Sequence, residues 1–306
     1  MEFSKLLRAK VVSPAEDLEE AIDSPEFWNQ LVALQEDAVS STPFSSSSRS
    51  LESLKESGIA NFGHLLDATH RQQVIHVVEA ISRRRWPKAC VILSDVFWAL
   101  LQSPKLLDSL QHILGADFRM APRLWLTEVT GHRGAQGWRP HLDAQKAPKL
   151  DKEGLPYRLT AWCALTDATT ENGCIHILDS DQAGAFPRHL FSQKTFKAKE
   201  VMSLLQSARA MPAKAGEVLL WSKDIVHWGG RVSGSPERAR LSITTEFVAH
   251  DTKREAGEPA FIRILEKMPS FEERRRLLAY SILKYAKYEE EKYRLSSFIP
   301  LAKKYF

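Results

Sequence analysis

The chain has 306 residues, of which 43% are hydrophobic and 26% are charged, and its formal net charge is +4. That length allows one large core with peripheral helices or two modest domains, and the composition is that of a globular protein. Its 42 Lys and Arg are spread along the chain instead of forming a stripe with aromatic residues between them, which argues against a nucleic-acid partner.

The cysteines and the N-terminal residues exclude further classes of protein. Cys90, Cys163 and Cys174 are odd in number and have no CxxC spacing, which argues against a disulfide scaffold and against a structural zinc site. The first ten residues lack the apolar segment of a secretory signal, and no stretch reaches the roughly 18 apolar residues that span a bilayer. We therefore expect a cytoplasmic protein without a membrane partner.

The first third of the chain, residues 1–117, has the pattern of a mostly helical extension. Ser24 before Pro25 is a cap residue before a helix-initiating proline. The predicted elements in this part are a helix from Ser24 to about Ala38, an exposed Ser-rich loop from Ser40 to Ser50, and helices over 68–85 and 95–114, with a start at Pro104 inside the last one.

Residues 118–250 change to short runs rich in Val, Ile, Thr, Trp and Leu, which are typical of an antiparallel sandwich or barrel. These runs are RLWLTEV, RLTAWCALTDA, GCIHILD, GEVLLWS and ARLSITTEFV. The stretch around 192–210 is interpreted as an inserted helix or loop. Residues 251–306 form a predicted helical extension, where Ser270 is a cap residue with Glu273 in the capping-box position.

Two imidazoles and a carboxylate suggest a metal site. His141 and Asp143 are two residues apart, so on a strand both side chains would point to one face, and His227 opens a late predicted strand. A 2-His-1-carboxylate set is typical of non-haem Fe(II) and leaves positions open for O2 and a 2-oxoacid. Thiolate ligands and a HExxH helix are missing, so iron is favoured over zinc. His176 is interpreted as structural.

Two arginines follow the second histidine and could bind the carboxylate of a co-substrate. Arg238 and Arg240 are two residues apart on a predicted strand, so both could face the interior. The planar guanidinium pairs well with carboxylates, and a buried arginine implies an anionic partner. The alternative is an exterior pair of arginines bonded to Glu237 or Glu246.

Five segments of the chain together resemble a known family. They are HLD at 141–143, LTAWCALTD at 159–167, ENGCIHIL at 171–178, AGEVLLW at 215–221 and VHWGGRVSGSPERARLSI at 226–243. Over about 124–247 they resemble the phytanoyl-CoA dioxygenase-like Fe(II)/2-oxoglutarate oxygenases. The outer thirds of the chain match no motif of this family.

The resemblance implies a mainly β fold with flanking helices, whose core is a double-stranded β-helix (a jelly roll, cupin-like). It implies Fe(II) held by His141, Asp143 and His227. For the distal carboxylate of 2-oxoglutarate it makes Arg238 the first choice, eleven residues after His227, with Arg240 as the alternative.

The resemblance also assigns pocket residues and shows two departures. Trp162 would line the co-substrate pocket, unless it only packs in the core, and Thr127 is a further candidate contact. The family's small-residue-Ser-His element reads Asp-Ser-Asp at 179–181, and Trp-Gly-Gly stands at 228–230 where Ser or Asn often follows the distal His. Asp143 is present, which argues against a halogenase.

The predicted activity is that of a dioxygenase using Fe(II), 2-oxoglutarate and O2 to hydroxylate a small organic substrate. An anionic substrate fits the basic segment 133–158, whose alternative interpretation is a solvated lysine-rich loop. The candidate substrate-pocket residues are Trp125, Trp138, Arg139 and Trp228. Desaturation, epoxidation, rearrangement, modification of a macromolecule and a non-catalytic binding module stay open as alternatives, as does the oligomeric state.

Overall fold

The computed structural model describes residues 14–31, 48–143, 150–178, 197–233, 239–254, 258–286 and 295–306. Predictions for Arg238, for the Asp-Ser-Asp element at 179–181 and for residues 32–47 therefore lie outside the described residues. Within the described ranges, no helix is long and apolar enough to cross a membrane.

The described part of the chain contains helices at both ends and strands in the middle. The helices are α1 (Pro14–Ala21), α2 (Pro25–Gln30), α3 (Ser48–Ser57), α4 (Ala68–Arg83), α5 (Asp95–Leu101), α6 (Pro104–Leu114), α7 (Ala198–Ser207), α8 (Phe271–Tyr285) and α9 (Ile299–Tyr305), with 3-10 turns at Lys88–Leu93 and Leu295–Phe298. The strands are β1 (Ile59–His64), β2 (Arg119–Val129), β3 (Arg158–Ala164), β4 (Ile175–Leu178), β5 (Ala208–Met211), β6 (Glu217–Ser222), β7 (Val226–Gly229) and β8 (Arg240–Val248).

The strands form two antiparallel sheets. The larger has the order β1-β6-β3-β8-β2 and the smaller the order β5-β4-β7. Thr160 on β3 pairs with Trp221 on β6 and with Glu246 on β8, which puts these three side chains on the same face. Helices α3 and α6 contact the larger sheet through β1 and β8. The predicted mainly β class with flanking helices and a jelly-roll core is confirmed.

Two compact units are formed by discontinuous parts of the chain. The first contains residues 1–36, 73–98 and 269–306, and the second contains residues 37–72 and 99–268, including every strand described above. In the first unit, the buried Arg274 of α8 pairs with Asp95 and donates to the carbonyl of Leu93. The division into segments 1–117, 118–250 and 251–306 stays a prediction.

The predicted helix starts at Ser24 and Ser270 are confirmed, whereas the end of α2 and the start of α3 differ from the prediction. Ser24 accepts a hydrogen bond from the N–H of Phe27, and Ser270 forms the full capping box with Glu273, as predicted. However, α2 ends at Gln30, before the predicted end, and residues 48–50 of the predicted Ser-rich loop begin α3. Serines at 48 and 50 fit a helix start as well as a loop, which explains the second error.

Strand β1 lies inside the segment that was predicted to be mostly helical. Its sequence, IANFGH, has only two large apolar residues and ends in Gly and His, so it carries little β signal of its own. It forms a strand because it pairs with β6, where Ile59 lies opposite Trp221 and both are buried. Tertiary pairing therefore decided the structure of this segment.

Candidate metal centre

His141 and His227 are brought together by their own backbones. The N–H of His141 donates to the carbonyl of His227 at 3.1 Å, and the N–H of His227 donates to the carbonyl of His141 at 3.0 Å. This reciprocal antiparallel pair puts both side chains on one face, with ring centroids 4.2 Å apart. The pairing of one short segment with β7 thus supplies two of the three candidate ligands.

Asp143 completes the set, although not from a strand as predicted. His141 lies in an isolated bridge and Asp143 in a bend, so the period-two argument does not apply to this pair. Even so, Asp143 Oδ1 lies 3.8 Å from Nε2 of His141 and 3.7 Å from Nε2 of His227. One ligand atom from each residue lies within 4.8 Å of the others, so the three residues could hold a metal ion.

Hydrogen bonds orient every candidate ligand. His141 Nδ1 lies 2.8 Å from the carbonyl of Arg139, and His227 Nδ1 lies 3.0 Å from that of Ile225. Since a carbonyl only accepts, each Nδ1 carries the proton and each Nε2 is left as a ligand. Asp143 Oδ2 accepts from Thr160 Oγ1 at 2.6 Å and from Trp221 Nε1 at 3.2 Å, which leaves Oδ1 facing the histidines.

The electrostatics favour the protonation states that bind a divalent cation. Burial and, next, the neighbouring His227 together lower the pKa of His141 to about 4, against the opposing effects of Asp143 and of backbone hydrogen bonds. Burial raises the pKa of Asp143, but His227, His141 and the Thr160 hydrogen bond outweigh it and the net pKa is lowered. A neutral His141 imidazole and an ionised Asp143 carboxylate are therefore present near neutral pH, as metal ligands must be.

Arg240 is buried beside this site, with 1% of the residue exposed. Its Nη1 donates to the carbonyl of Gly173 at 2.8 Å, and its guanidinium lies 5.7 Å from the ring centroid of Trp162. Its Nε has no hydrogen-bond partner, and no ion pair of Arg240 is found among the described residues. Burial lowers its pKa to about 10, so it is still a cation at neutral pH.

Arg240 faces the interior of the fold, so it is not the exterior arginine of the alternative interpretation. In the register of the larger sheet it shares a face with Val129 and Thr127 of β2 and with Trp162 of β3. Glu246, the suggested exterior partner, instead pairs with Arg123, Arg158 and Lys223. A buried guanidinium without a carboxylate partner fits an anionic ligand.

The four candidate substrate-pocket residues are not all in one place. Trp125 and Trp138 pack edge to face at 5.7 Å, and Trp138 lies 6.2 Å from the His141 ring. Trp228 follows His227 on β7, so it points to the opposite face, where it stacks on His176 at 5.6 Å. The Arg139 side chain is exposed, and it is the carbonyl of Arg139 that contacts His141.

The two donors to Asp143 were not identified from the sequence. Thr160 and Trp221 both lie on strands that were recognised, and alternation from Trp162 puts Thr160 on the interior face. Their partner Asp143 lies in a bend, so no strand register could have paired them with it.

A family model matches the part of the chain that contains the candidate metal centre. The sequence model of the phytanoyl-CoA dioxygenase (PhyH) family matches residues 57–239, which is more than half of the chain. The match includes all three candidate ligands and β1, which the sequence patterns had missed. No curated protein matches the chain in sequence.

Several solved structures share the fold. The alpha-ketoglutarate-dependent epimerase SnoN from nogalamycin biosynthesis has a TM-score of 0.52 at 18% identity, over 71% of this chain and 97% of SnoN. HygX from Streptomyces hygroscopicus, solved with nickel and 2-oxoglutarate, has a TM-score of 0.54 at 14% identity, over 67% and 88%. The non-heme monooxygenase ThoJ, solved with nickel, has a TM-score of 0.51 at 18% identity, over 70% and 82%. These likenesses concern the fold.

Proposed function

This chain belongs to the phytanoyl-CoA dioxygenase (PhyH) family, and on that basis we propose that it hydroxylates a small organic molecule. It is an iron- and 2-oxoglutarate-dependent oxygenase by family and by the donor set of its metal site. The observation that carries the proposal is the complete triad beside a buried arginine that has no carboxylate partner in the described structure.

The protein's part in the reaction is to hold the metal ion and to orient the co-substrate and the substrate. His141, Asp143 and His227 would hold Fe(II) through two Nε2 atoms and Oδ1. When bound, iron with 2-oxoglutarate and O2 supplies the oxidation that converts a substrate C–H to C–OH, with succinate and CO2 as by-products. Trp125 and Trp138 form an apolar wall next to His141 that could exclude water and contact the substrate.

Arg240 is the residue that we propose for the distal carboxylate of 2-oxoglutarate. A Cβ added to Gly137 would lie 2.6 Å from Cα of Gly229 and 3.0 Å from Nη2 of Arg240, so the guanidinium lies next to Gly229. Gly229 is two residues from His227, a rise of roughly 7 Å along a strand. A five-carbon dicarboxylate is about long enough to join the two positions.

Structures of similar fold support a small-molecule substrate. HygX has been solved with nickel, 2-oxoglutarate and hygromycin B, and SnoN with Fe3+, alpha-ketoglutarate and nogalamycin RO. We therefore propose a small molecule rather than a protein or nucleic acid as the substrate.

Anaerobic titration of the apo-protein with Fe(II) and then 2-oxoglutarate tests the proposal through the visible charge-transfer band of the chelated co-substrate. We expect the band in the wild type and its loss in Asp143→Ala. In Arg240→Ala we expect the dissociation constant of 2-oxoglutarate to rise about 10- to 100-fold, because charge-assisted hydrogen bonds are lost.

Two arginine variants serve as comparisons in this titration. Arg209→Ala removes an exposed arginine of β5 and should leave the band unchanged, while Arg238→Ala tests the first choice from the sequence. A weakened band in Arg238→Ala alone would move the carboxylate site to that residue. Fe(II) binding without any band would mean a different co-substrate, and no metal binding would overturn the oxygenase proposal.

A further inference from the structure

Asp143 depends on its side chain for its position. It lies in a bend, and within the described part of the chain it makes no backbone–backbone hydrogen bond. The last main-chain bonds before it are those of His141 to His227. Hydrogen bonds of the carboxylate itself must therefore fix where its oxygens point.

Two donors from neighbouring strands meet on one oxygen of that carboxylate. Thr160 Oγ1 on β3 and Trp221 Nε1 on β6 both donate to Asp143 Oδ2, at 2.6 and 3.2 Å. The two donors come from directly paired residues of the larger sheet, so the sheet register sets the distance between them. Residues 160 and 221 are 4% and 1% exposed, so water cannot substitute readily for either donor.

The two carboxylate oxygens of Asp143 differ in their hydrogen bonds. Oδ2 has its two donors, whereas Oδ1 faces the two histidine Nε2 atoms at 3.8 and 3.7 Å. Donors on Oδ2 also withdraw charge from it, so a metal at the triad would be bound through Oδ1 alone. A carboxylate free to rotate could use both oxygens and occupy one more position on the metal.

We infer that Thr160 and Trp221 are positioning residues that hold Asp143 as a one-oxygen ligand and so keep a metal position open for the co-substrate. This inference rests on the proposed oxygenase function, because an open position matters only if 2-oxoglutarate and O2 must bind. Trp221 has a second contact that fits this role, since its ring lies 4.8 Å from the His227 ring.

The test separates metal binding from co-substrate binding in Thr160→Val and Trp221→Phe. Valine keeps the shape of threonine without the hydroxyl, and phenylalanine keeps an aromatic ring without the N–H. Ni(II) affinity is measured by calorimetry on the apo-protein, and 2-oxoglutarate affinity on the Ni(II)-loaded protein. We expect either variant to weaken 2-oxoglutarate binding about tenfold or more, a scale typical of lost outer-shell partners. Ni(II) binding should fall less than 2-oxoglutarate binding.

Three comparisons distinguish this role from a merely structural one. Thr160→Ser restores the hydroxyl and should restore 2-oxoglutarate binding and the position of the Fe(II) charge-transfer band. Thr245→Val removes a buried threonine hydroxyl from the opposite face of the neighbouring strand β8, and it should leave both unchanged. Melting temperatures of the apo-variants report any loss of folding.

Each outcome decides the inference. It is overturned if Thr160→Val and Trp221→Phe, folded, bind 2-oxoglutarate like the wild type, or if serine fails to rescue a weakened Thr160→Val. A wild type that binds Ni(II) but never 2-oxoglutarate would instead overturn the proposed function, which is a separate result.

Discussion

At the scale of single residues, the buried carboxylate of Glu246 forms ion pairs with three cationic side chains of the described structure. Its Oε2 lies 2.6 Å from Lys223 Nζ and 3.2 Å from Arg123 Nη1, and its Oε1 lies 3.4 Å from Arg158 Nε. The Glu246 and Lys223 side chains are 5% and 7% exposed, so water screens their charges poorly. One carboxylate thus compensates several cations at once.

We expect Glu246→Gln to destabilise the fold far more than Lys223→Met. The first change removes the shared anion, and losing one partner of a buried ion pair costs about 3–5 kcal/mol. The second leaves Glu246 with Arg123 and Arg158, so its cost should be nearer that of one hydrogen bond, about 1 kcal/mol. Urea unfolding of both variants measures the difference, and equal costs would contradict the shared-anion interpretation.

Asp167 gives a pH-dependent contribution at the surface. The N–H of Ala215 lowers the pKa of this carboxyl below its usual range; burial opposes this as the next-largest effect, and Lys214 lowers the pKa further. A lowered folded pKa means that the ionised form stabilises the fold. That contribution is complete above the unfolded pKa and disappears as pH falls through the folded pKa.

Asp167→Ala should therefore cost more stability at pH 7 than at pH 2.5. The side chain is 50% exposed, so after allowance for solvent screening we expect a loss of only about 0.5–1 kcal/mol at pH 7. Unfolding in urea at the two pH values checks this, with Asp108→Ala on α6 as a control for a general acidic-residue effect. The same loss at both values would show that ionisation is not involved.

At the scale of elements, the metal centre depends on a close backbone contact between β7 and the segment that carries His141. A Cβ built on Gly229 would lie 2.5 Å from Cα of Gly137, closer than real Cβ atoms come. The N–H of Gly229 donates to the carbonyl of Trp138 at 2.9 Å, in the same ladder that pairs His141 with His227. The Gly at position 229, a departure from the family pattern, therefore has a packing reason.

Gly229→Ala should push these two segments apart and weaken metal binding. Overpacking of this kind costs about 1–3 kcal/mol of folding stability. The added methyl group would lie next to the backbone pairing of His141 with His227. Gly154→Ala is a control that strains a backbone with φ +81° in open space, so it should reduce stability without changing Ni(II) affinity. Calorimetric Ni(II) titration and thermal melting separate the two effects, and unchanged Ni(II) affinity in Gly229→Ala would refute the argument.

The elements also show what the sequence can and cannot predict. The core strands follow from alternation and turn residues, and the three candidate ligands follow from the residue types and spacing of His141, Asp143 and His227, although His141 and Asp143 do not lie on a strand as predicted. The bend at Asp143 and strand β1 do not follow from the sequence, because neither has a periodic pattern and each is fixed by contacts with distant parts of the chain. Trp228 illustrates a related error. It is adjacent in sequence to the candidate ligand His227, but its side chain lies on the opposite face of β7.

At the scale of the whole molecule, the two compact units should respond differently to metal. All three candidate ligands belong to the unit formed by residues 37–72 and 99–268. A ligand that binds only the folded state stabilises it by about 2.7 kcal/mol at 100 times its dissociation constant. For a unit of this size that corresponds to a rise in Tm of about 5–10 °C.

We therefore expect Ni(II) to raise the melting temperature of this unit, and differential scanning calorimetry measures it directly. If the two units melt in separate transitions, only one transition should move, because the described residues of the other unit contribute no ligand to the triad. Asp143→Ala is the matched control, since it removes one ligand and should abolish the shift. An equal shift in Asp143→Ala would mean that Ni(II) stabilises the protein from another site, and the triad would then not be the metal centre.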